Sequence, residues 1–176
     1  ITGNLENNFN KLEILIDSVP GGENTFTGVP GNDGCGLMAG LTFDAGFEAD
    51  YHIIARRGFA NFDLDISQLG TPNFSNYVGI FGGVFGGMGT SGTGPANVFP
   101  IDAAYDDSNT AGVIGGNQPA DPMAAEMVET GFEVSIALED LGNPQGDIKV
   151  LAFVNGAAHD FASNQFLGGL MPIIGN

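Results

Sequence analysis

Tryptophan is absent from this chain, cysteine occurs once, and lysine and arginine together number 4 against 21 aspartates and glutamates. Each scarcity excludes something. The lone Cys35 can form no internal disulfide and supplies too few thiolates for a Cys-ligated zinc site. A formal charge of -17 repels phosphate, which argues against nucleic acid and anionic membrane surfaces as partners. No run of about 18 apolar residues offers a membrane span. A basic-then-apolar leader is also missing, so an exported form is expected to have lost its signal peptide already. His52 and His159 are the only histidines and no His-Glu-x-x-His occurs, which leaves zinc hydrolysis without ligands. A serine triad lacks its Gly-x-Ser-x-Gly elbow. Carboxylate pairs for glycoside hydrolysis cannot be singled out where acidic residues are so common. The residues therefore read as those of a non-enzymatic protein.

What is abundant is glycine, 29 residues, about double the average usage of about 7%. With 43% of residues hydrophobic, the chain is nonetheless too apolar to stay disordered. Its length suits one domain over residues 1–176. Runs rich in Val, Ile and Phe recur between Gly, Asn, Asp and Pro clusters, the pattern of strands and turns. In "KLEILID", Leu12, Ile14 and Ile16 alternate with Glu13 and Leu15. Phe47–Arg56 and Phe59–Ser67 read as a hairpin joined at "RG". "NYVGIFGG", Thr130–Leu138 and "DIKVLAFVNG" complete the strong candidates. The one clear helix is Asp121–Glu129, with Asp121 as N-cap and Pro122 at the first helical position. Short strands with turns every ten residues or so predict an all-β fold, a two-sheet antiparallel β-sandwich, jelly-roll-like, with long Gly-rich loops and at most one or two short helices. The stretch 81–100, "FGGVFGGMGTSGTGPANVFP", reads as a Gly-rich surface excursion. Its Val84, Phe85 and Met88 need cover, either by folding back on the sandwich or from another subunit.

Calcium is the best-motivated chemistry, because hard cations take six to eight oxygens from carboxylates and carbonyls in loops. Candidate ligands gather at strand ends: Asp17 with Glu23 and Asn24, Asp33 in "GNDG", Asp44 with Glu48 and Asp50, Asp106 with Asp107 and Asn109, and Asp160 with Asn155 and Asn164. Asp17, Asp44, Glu48, Asp50 and Asp160 are the metal candidates. For each cluster the alternative is an Asx-turn, in which the side chain caps its own backbone. Glycan binding would need flat aromatic platforms, for which only Tyr51, Tyr77 and Tyr105 are available beside the phenylalanines. In "NGAAHDFASNQFLGGL", Asn155, His159, Asp160, Asn164 and Gln165 read first as a loop tied by side-chain-to-backbone hydrogen bonds. Calcium ligation through Asp160 or Asn155 is a second reading, and His159 as the pH-sensitive partner of a carboxylate a third. Cys35 reads as a small buried filler or as a thiol pairing between chains.

The segments "GNLENNFNKLEILIDSVPGGEN", "GLTFDAGFEADYHI", "TGFEVSIALEDLGNP" and "IKVLAFVNGAAHDFASNQFLGGL" resemble a group of secreted bacterial proteins frequent in planctomycetes, and together they span most of the chain. The third also resembles, at the level of fold, the sandwich of carbohydrate-binding module family 9 and the related DOMON-like haem- or sugar-binding domains. The resemblance implies export to the exterior or cell surface, a β-sandwich, and no known enzymatic activity. Similar proteins carry further strand-forming sequence before the point matching Ile1, and many carry a C-terminal sorting tail. An open strand edge is therefore expected, of the kind a neighbouring molecule can pair with. The expectation is an extracellular, calcium-stabilised structural or surface-assembly protein forming a homo-oligomer or polymer. The alternative is a carbohydrate-binding module.

Overall fold

The strand that alternates most cleanly in the sequence, β1 (Lys11–Asp17), lies inside a six-stranded antiparallel sheet, flanked on both sides. The computed structural model describes residues 1–3, 5–59, 61–80, 86–108, 121–163 and 166–167, with the backbone alone for 76–80, 122, 125, 166 and 167. The other strands are β2 (Tyr51–Gly58), β3 (Asn61–Gln68), β4 (Asn73–Ile80), β5 (Gly86–Thr90), β6 (Asp102–Asp106), β7 (Phe132–Ser135), β8 (Lys149–Asn155) and β9 (Phe166–Leu167). The large sheet has the order β4-β3-β2-β1-β8-β9, and β5-β6-β7 form a second, three-stranded sheet. After the meander β1 to β4 the chain builds the small sheet, then returns to lay β8 beside β1, a Greek-key return. The fold is the expected all-β sandwich of two antiparallel sheets.

Period-two alternation assigns each strand residue to one of two faces. On the face toward the small sheet stand Ile14, Ile16, Ile53, Ala55, Leu64, Ile66 and Ala152, which pack with Ala103, Tyr105 and Phe132. Phe62 stacks on Tyr105 with ring centroids 4.3 Å apart. Burying a side chain such as Ile53 or Leu64 contributes about 1.5–3 kcal/mol. The opposite face is not open to water. The long β1–β2 connection folds over it through bridges between Glu23 and Ala49 and between Thr25 and Thr42. Its Phe26, Val29, Cys35, Met38 and Phe43 form a second core with Leu15, Ile54, Leu69 and Phe153. The molecule therefore has three layers, with the large sheet in the middle.

Several local expectations change in the structure. The strand expected from Phe47 begins at Tyr51, because Glu48 and Asp50 turn their carboxylates toward the backbone of Gly21, Ser18 and Val19. Its hairpin partner begins at Asn61, with Phe59 in the turn at φ 56°. The strand expected over Thr130–Leu138 narrows to Phe132–Ser135. The helix expected over Asp121–Glu129 is a single turn, α1 (Pro122–Ala125). Asp121 caps it as anticipated, its Oδ1 accepting the backbone N–H of Met123 at 3.1 Å and of Ala124 at 3.2 Å. Within the Gly-rich stretch 81–100, residues 86–90 are not a loop but β5, paired to β6. Val84 and Phe85 lie outside the described residues. No helix among the described residues is long and apolar enough to cross a membrane.

Candidate functional site

The covered face of the large sheet carries charge where its other face carries isoleucine. β1 contributes Lys11 and Glu13, β2 His52 and Arg56, β3 Asp63, Asp65 and Ser67, and β8 Asn155, all at positions the register places on one side. Glu13, at 0% exposure, is the centre. Its Oε2 lies 2.7 Å from His52 Nε2 and its Oε1 2.6 Å from His159 Nδ1. Asn155 Nδ2 donates to the same Oε1 at 3.2 Å.

The second carboxylate hub comes from the covering layer. In "GNDG", Gly31, Asp33 and Gly34 all take positive φ, at 86°, 42° and 80°. That tight turn suits glycine and tolerates aspartate, and it directs Asp33 at the sheet. Asp33 Oδ2 is 2.9 Å from Lys11 Nζ, 3.2 Å from Arg56 Nη1 and 3.5 Å from His159 Nε2. Arg56 also pairs with Asp65 and Asp63. Beside Asp33, Asn32 is fully buried and donates its amide to Ser67 Oγ. His159 also holds a positive φ of 59°, a conformation that costs about 1–3 kcal/mol and persists only where the surroundings enforce it. Here the surroundings are two carboxylates.

Burial alone would raise the carboxyl of Glu13, but the hydrogen bonds and charges of His159 and His52 hold it down at about 2. Asp33 is likewise held at about 2 by His159, Lys11 and Arg56 against the opposing effect of burial. Burial would lower the histidines, yet hydrogen bonding and charge from Asp33 and Glu13 lift His159 to about 9. His52 is raised by the Cys35 thiol and by Glu13. The cluster thus sets Lys11, Arg56, His52 and His159 against the carboxylates of Glu13, Asp33, Asp63 and Asp65. A buried network of this kind stays folded only while its charges are paired.

The sequence-predicted ligands are divided between the two ends of this sheet. Asp17, Glu48 and Asp50 share one end. Asp17 Oδ2 takes Lys149 Nζ at 2.9 Å and the Glu48 N–H at 3.2 Å. Asp50 Oδ2 takes the N–H groups of Ser18 at 2.7 Å and Val19 at 2.9 Å, and Glu48 Oε2 takes that of Gly21 at 3.2 Å. Asp44 is exposed nearby in sequence, accepting the Phe47 N–H at its backbone carbonyl. Asp160 is exposed at the opposite end, beyond β8. Among the described residues no three His, Cys, Asp or Glu side chains stand close enough to hold a metal ion. Tyr51 and Tyr105 are buried in the sandwich core rather than turned to solvent. Of Tyr77 the backbone alone is described, on β4. Asn155 ties its loop as expected, Oδ1 accepting from Gly156 at 2.9 Å and Phe161 at 3.0 Å. His159 takes the third of its readings, against Glu13. Asn109, Asn164 and Gln165 lie outside the described residues.

A cleft of about 1020 Å³ runs beside β7. Its lining takes Ile14 and Phe132 from the interior but also Met88 and Glu133, which the pairing sets on the outer face of the small sheet. It is a furrow around that sheet rather than a chamber. No protein-family model, no curated protein and no solved structure matches this chain.

Reading the sequence alone misses Lys11, Glu13, His52, Arg56 and Asp65. A signal was present: three strands each carry two polar residues on one face, Lys11 and Glu13, His52 and Arg56, then Asp63 and Asp65. Such a pattern ordinarily marks a solvated face, and nothing local announces that a remote connection buries it.

Proposed function

We propose that the protein is a non-enzymatic structural subunit of an extracellular or cell-surface assembly, joining copies of itself along open strand edges. The carrying observation is a charge gap. Between Asp65 and Asp102 the chain has no charged residue, and this stretch supplies both β4, one edge of the large sheet, and β5, one edge of the small one. Natural edge strands are usually guarded by charge, lysine above all. Here every lysine, arginine and histidine is paired with a carboxylate: Lys11 with Asp33, Arg56 with Asp65, Arg57 with Asp107, Lys149 with Asp17, and both histidines with Glu13. On β5, Met88 is 77% exposed. The far edge of the small sheet differs, since residues 1–3 bond to the backbone of Thr130, Gly131 and Phe132.

The same pairing of charges speaks against turnover of an external substrate in the buried cluster. Its acids and bases neutralise one another, and its centre has no solvent access. The exterior location rests on the likeness of the four segments to secreted proteins. Glycan binding finds two of its three tyrosines, Tyr51 and Tyr105, inside the core.

Light scattering across a concentration series tests this reading, comparing the natural chain with Met88→Lys. Particle mass is expected to rise with concentration in the first and to stay at the monomer in the second. A monomer at every concentration, with and without calcium, overturns it. Chelation decides whether calcium belongs in the account: a lower melting temperature keeps it, with Asp17, Asp44, Glu48 and Asp50 the first residues to vary, and an unchanged one removes it.

A further inference from the structure

The geometry assigns to the buried cluster a covalent product: an intramolecular isopeptide bond between Lys11 Nζ and Asn155 Cγ, tying β1 to β8, with Glu13 serving the reaction. Three observations carry it.

The first is placement. Lys11 and Asn155 are direct partners across the antiparallel pair β1–β8 and stand on the same face. They are 3% and 2% exposed, which is rare for a lysine. Cβ atoms of such partners are about 4.5–5.5 Å apart, a distance the lysine chain spans. To reach the amide carbon, Nζ has to leave Asp33 by rotation about the lysine's side-chain bonds. Two groups held this way react as if at very high concentration.

The second is how the amide is held. Asn155 Oδ1 accepts the backbone N–H groups of Gly156 at 2.9 Å and Phe161 at 3.0 Å. Paired donors of this kind polarise a carbonyl and stabilise the oxyanion that forms when an amine adds to it. The departing nitrogen, Nδ2, rests 3.2 Å from Glu13 Oε1, so a carboxyl group is in place to move a proton there.

The third is that a carboxylate stands beside each of the two nitrogens that exchange protons, with His159 between the two carboxylates. Lys11 Nζ meets Asp33 Oδ2 at 2.9 Å. Asp33 Oδ2 faces the buried His159 Nε2 at 3.5 Å. His159 Nδ1 meets Glu13 Oε1 at 2.6 Å, and Glu13 meets the leaving nitrogen. The lysine ammonium gives one proton to Asp33, and the freed amine adds to Cγ. As the adduct collapses, the Cγ–Nδ2 bond breaks, the second amine proton passes through Glu13 to Nδ2, and ammonia leaves. The Nζ–Cγ amide replaces the side-chain amide, with no oxidant, reductant or other reactant. In a chain whose single cysteine cannot make a disulfide, this bond would restrict the unfolded state as a disulfide does, across the long loop from residue 11 to residue 155.

Two other condensations are available and distinguishable. Gly156 N could attack the same carbon to form a cyclic imide, also with loss of ammonia, although its N–H is engaged with Oδ1 of that amide. Lys11 could condense with Asp33 and lose water. The test is the intact mass of the full, purified chain under denaturing conditions, followed by fragmentation of its proteolytic peptides. The expected result is a mass lower than the sequence by one ammonia, and a branched peptide joining Lys11 to Asn155. Lys11→Arg and Glu13→Gln are expected to show the full sequence mass. A natural chain at full sequence mass overturns the inference without recourse to any variant. So does loss of water, or an ammonia loss that persists in Lys11→Arg. Because the measurement is made on single denatured chains, it is independent of whether copies associate.

Discussion

The two faces of the large sheet solve the same problem with different chemistry, one apolar around its isoleucines, the other part apolar, at Leu15, Ile54 and Phe153, and part charged. Toward the small sheet, Ile14, Ile53, Leu64 and Ile66 bury hydrocarbon against hydrocarbon. Toward the β1–β2 connection, Glu13, His52 and Asp65 are buried just as completely, but among partners of opposite charge. One strand serves both, since Lys11 and Glu13 alternate with Leu12, Ile14 and Ile16 along β1. The difference lies in what each face demands of its cover. A hydrocarbon face accepts any apolar surface of suitable volume, whereas a face of buried charges accepts only a layer that brings matching groups in register. Asp33 and His159 meet that demand from outside the sheet, and both sit at positive φ to do so. The charged part of the covered face thus specifies which loop covers it, while hydrocarbon on both faces drives collapse.

Removing the centre of the charged face should show the largest effect. Glu13→Ala removes the carboxylate that both imidazoles face, leaving His159 with Asp33 alone, and is expected to cost about 3–5 kcal/mol in urea unfolding. Leu64→Ala on the apolar face should cost about 2–5 kcal/mol through transfer and cavity. pH separates the two faces further. Folding raises His159 from 6.5 to about 9, so its contribution is complete below pH 6.5 and lost as pH climbs through 9. Folding lowers Glu13 from 4.5 to about 2, so its contribution is complete above pH 4.5 and lost as pH falls through 2. The urea midpoint should therefore be flat between pH 4.5 and 6.5 and decline on either side, while the decrement caused by Leu64→Ala stays constant throughout. A midpoint that climbs from pH 6.5 to 9 would refute the paired-charge account of the covered face.

Smaller changes probe how the cover is fastened at its other end. Asp50→Ala strips the N–H groups of Ser18 and Val19 of their acceptor and should cost about 1–3 kcal/mol, read in the same titration. Hydrogen exchange in the 18–50 connection should rise in this variant before exchange in the sandwich core does. Met88→Lys, at an exposed position on β5, should shift stability by no more than about 0.5 kcal/mol. Its effect belongs to association alone, and a large loss of stability would show that Met88 packs internally.

Much of the fold could be read from spacing. β1, the β2–β3 hairpin and β8 follow from alternation between turn residues, and Asp121 caps its helix because aspartate before proline is a local signal. Boundaries moved where a distant partner intervened: β2 starts four residues later than expected because Glu48 and Asp50 are drawn to Gly21, Ser18 and Val19. β5 was hidden because Gly-Gly-Met-Gly-Thr has almost no strand propensity and exists only through its pairing with β6. Within the site, the loop-tying role of Asn155 was legible from sequence. The roles of Glu13 and His52 were not, because each looks like a polar residue on an ordinary half-exposed strand.

The sequence by itself determined the class of fold, since period-two burial and turn chemistry act over a few residues and need no tertiary context. It also determined the excess of negative charge and the absence of disulfide staples. Which carboxylates stand on the surface and which are buried with every available cation was decided by the tertiary structure alone. That choice depends on residues up to 146 positions apart, as His159 is from Glu13, and only the completed sheet and its cover bring them within reach of one another.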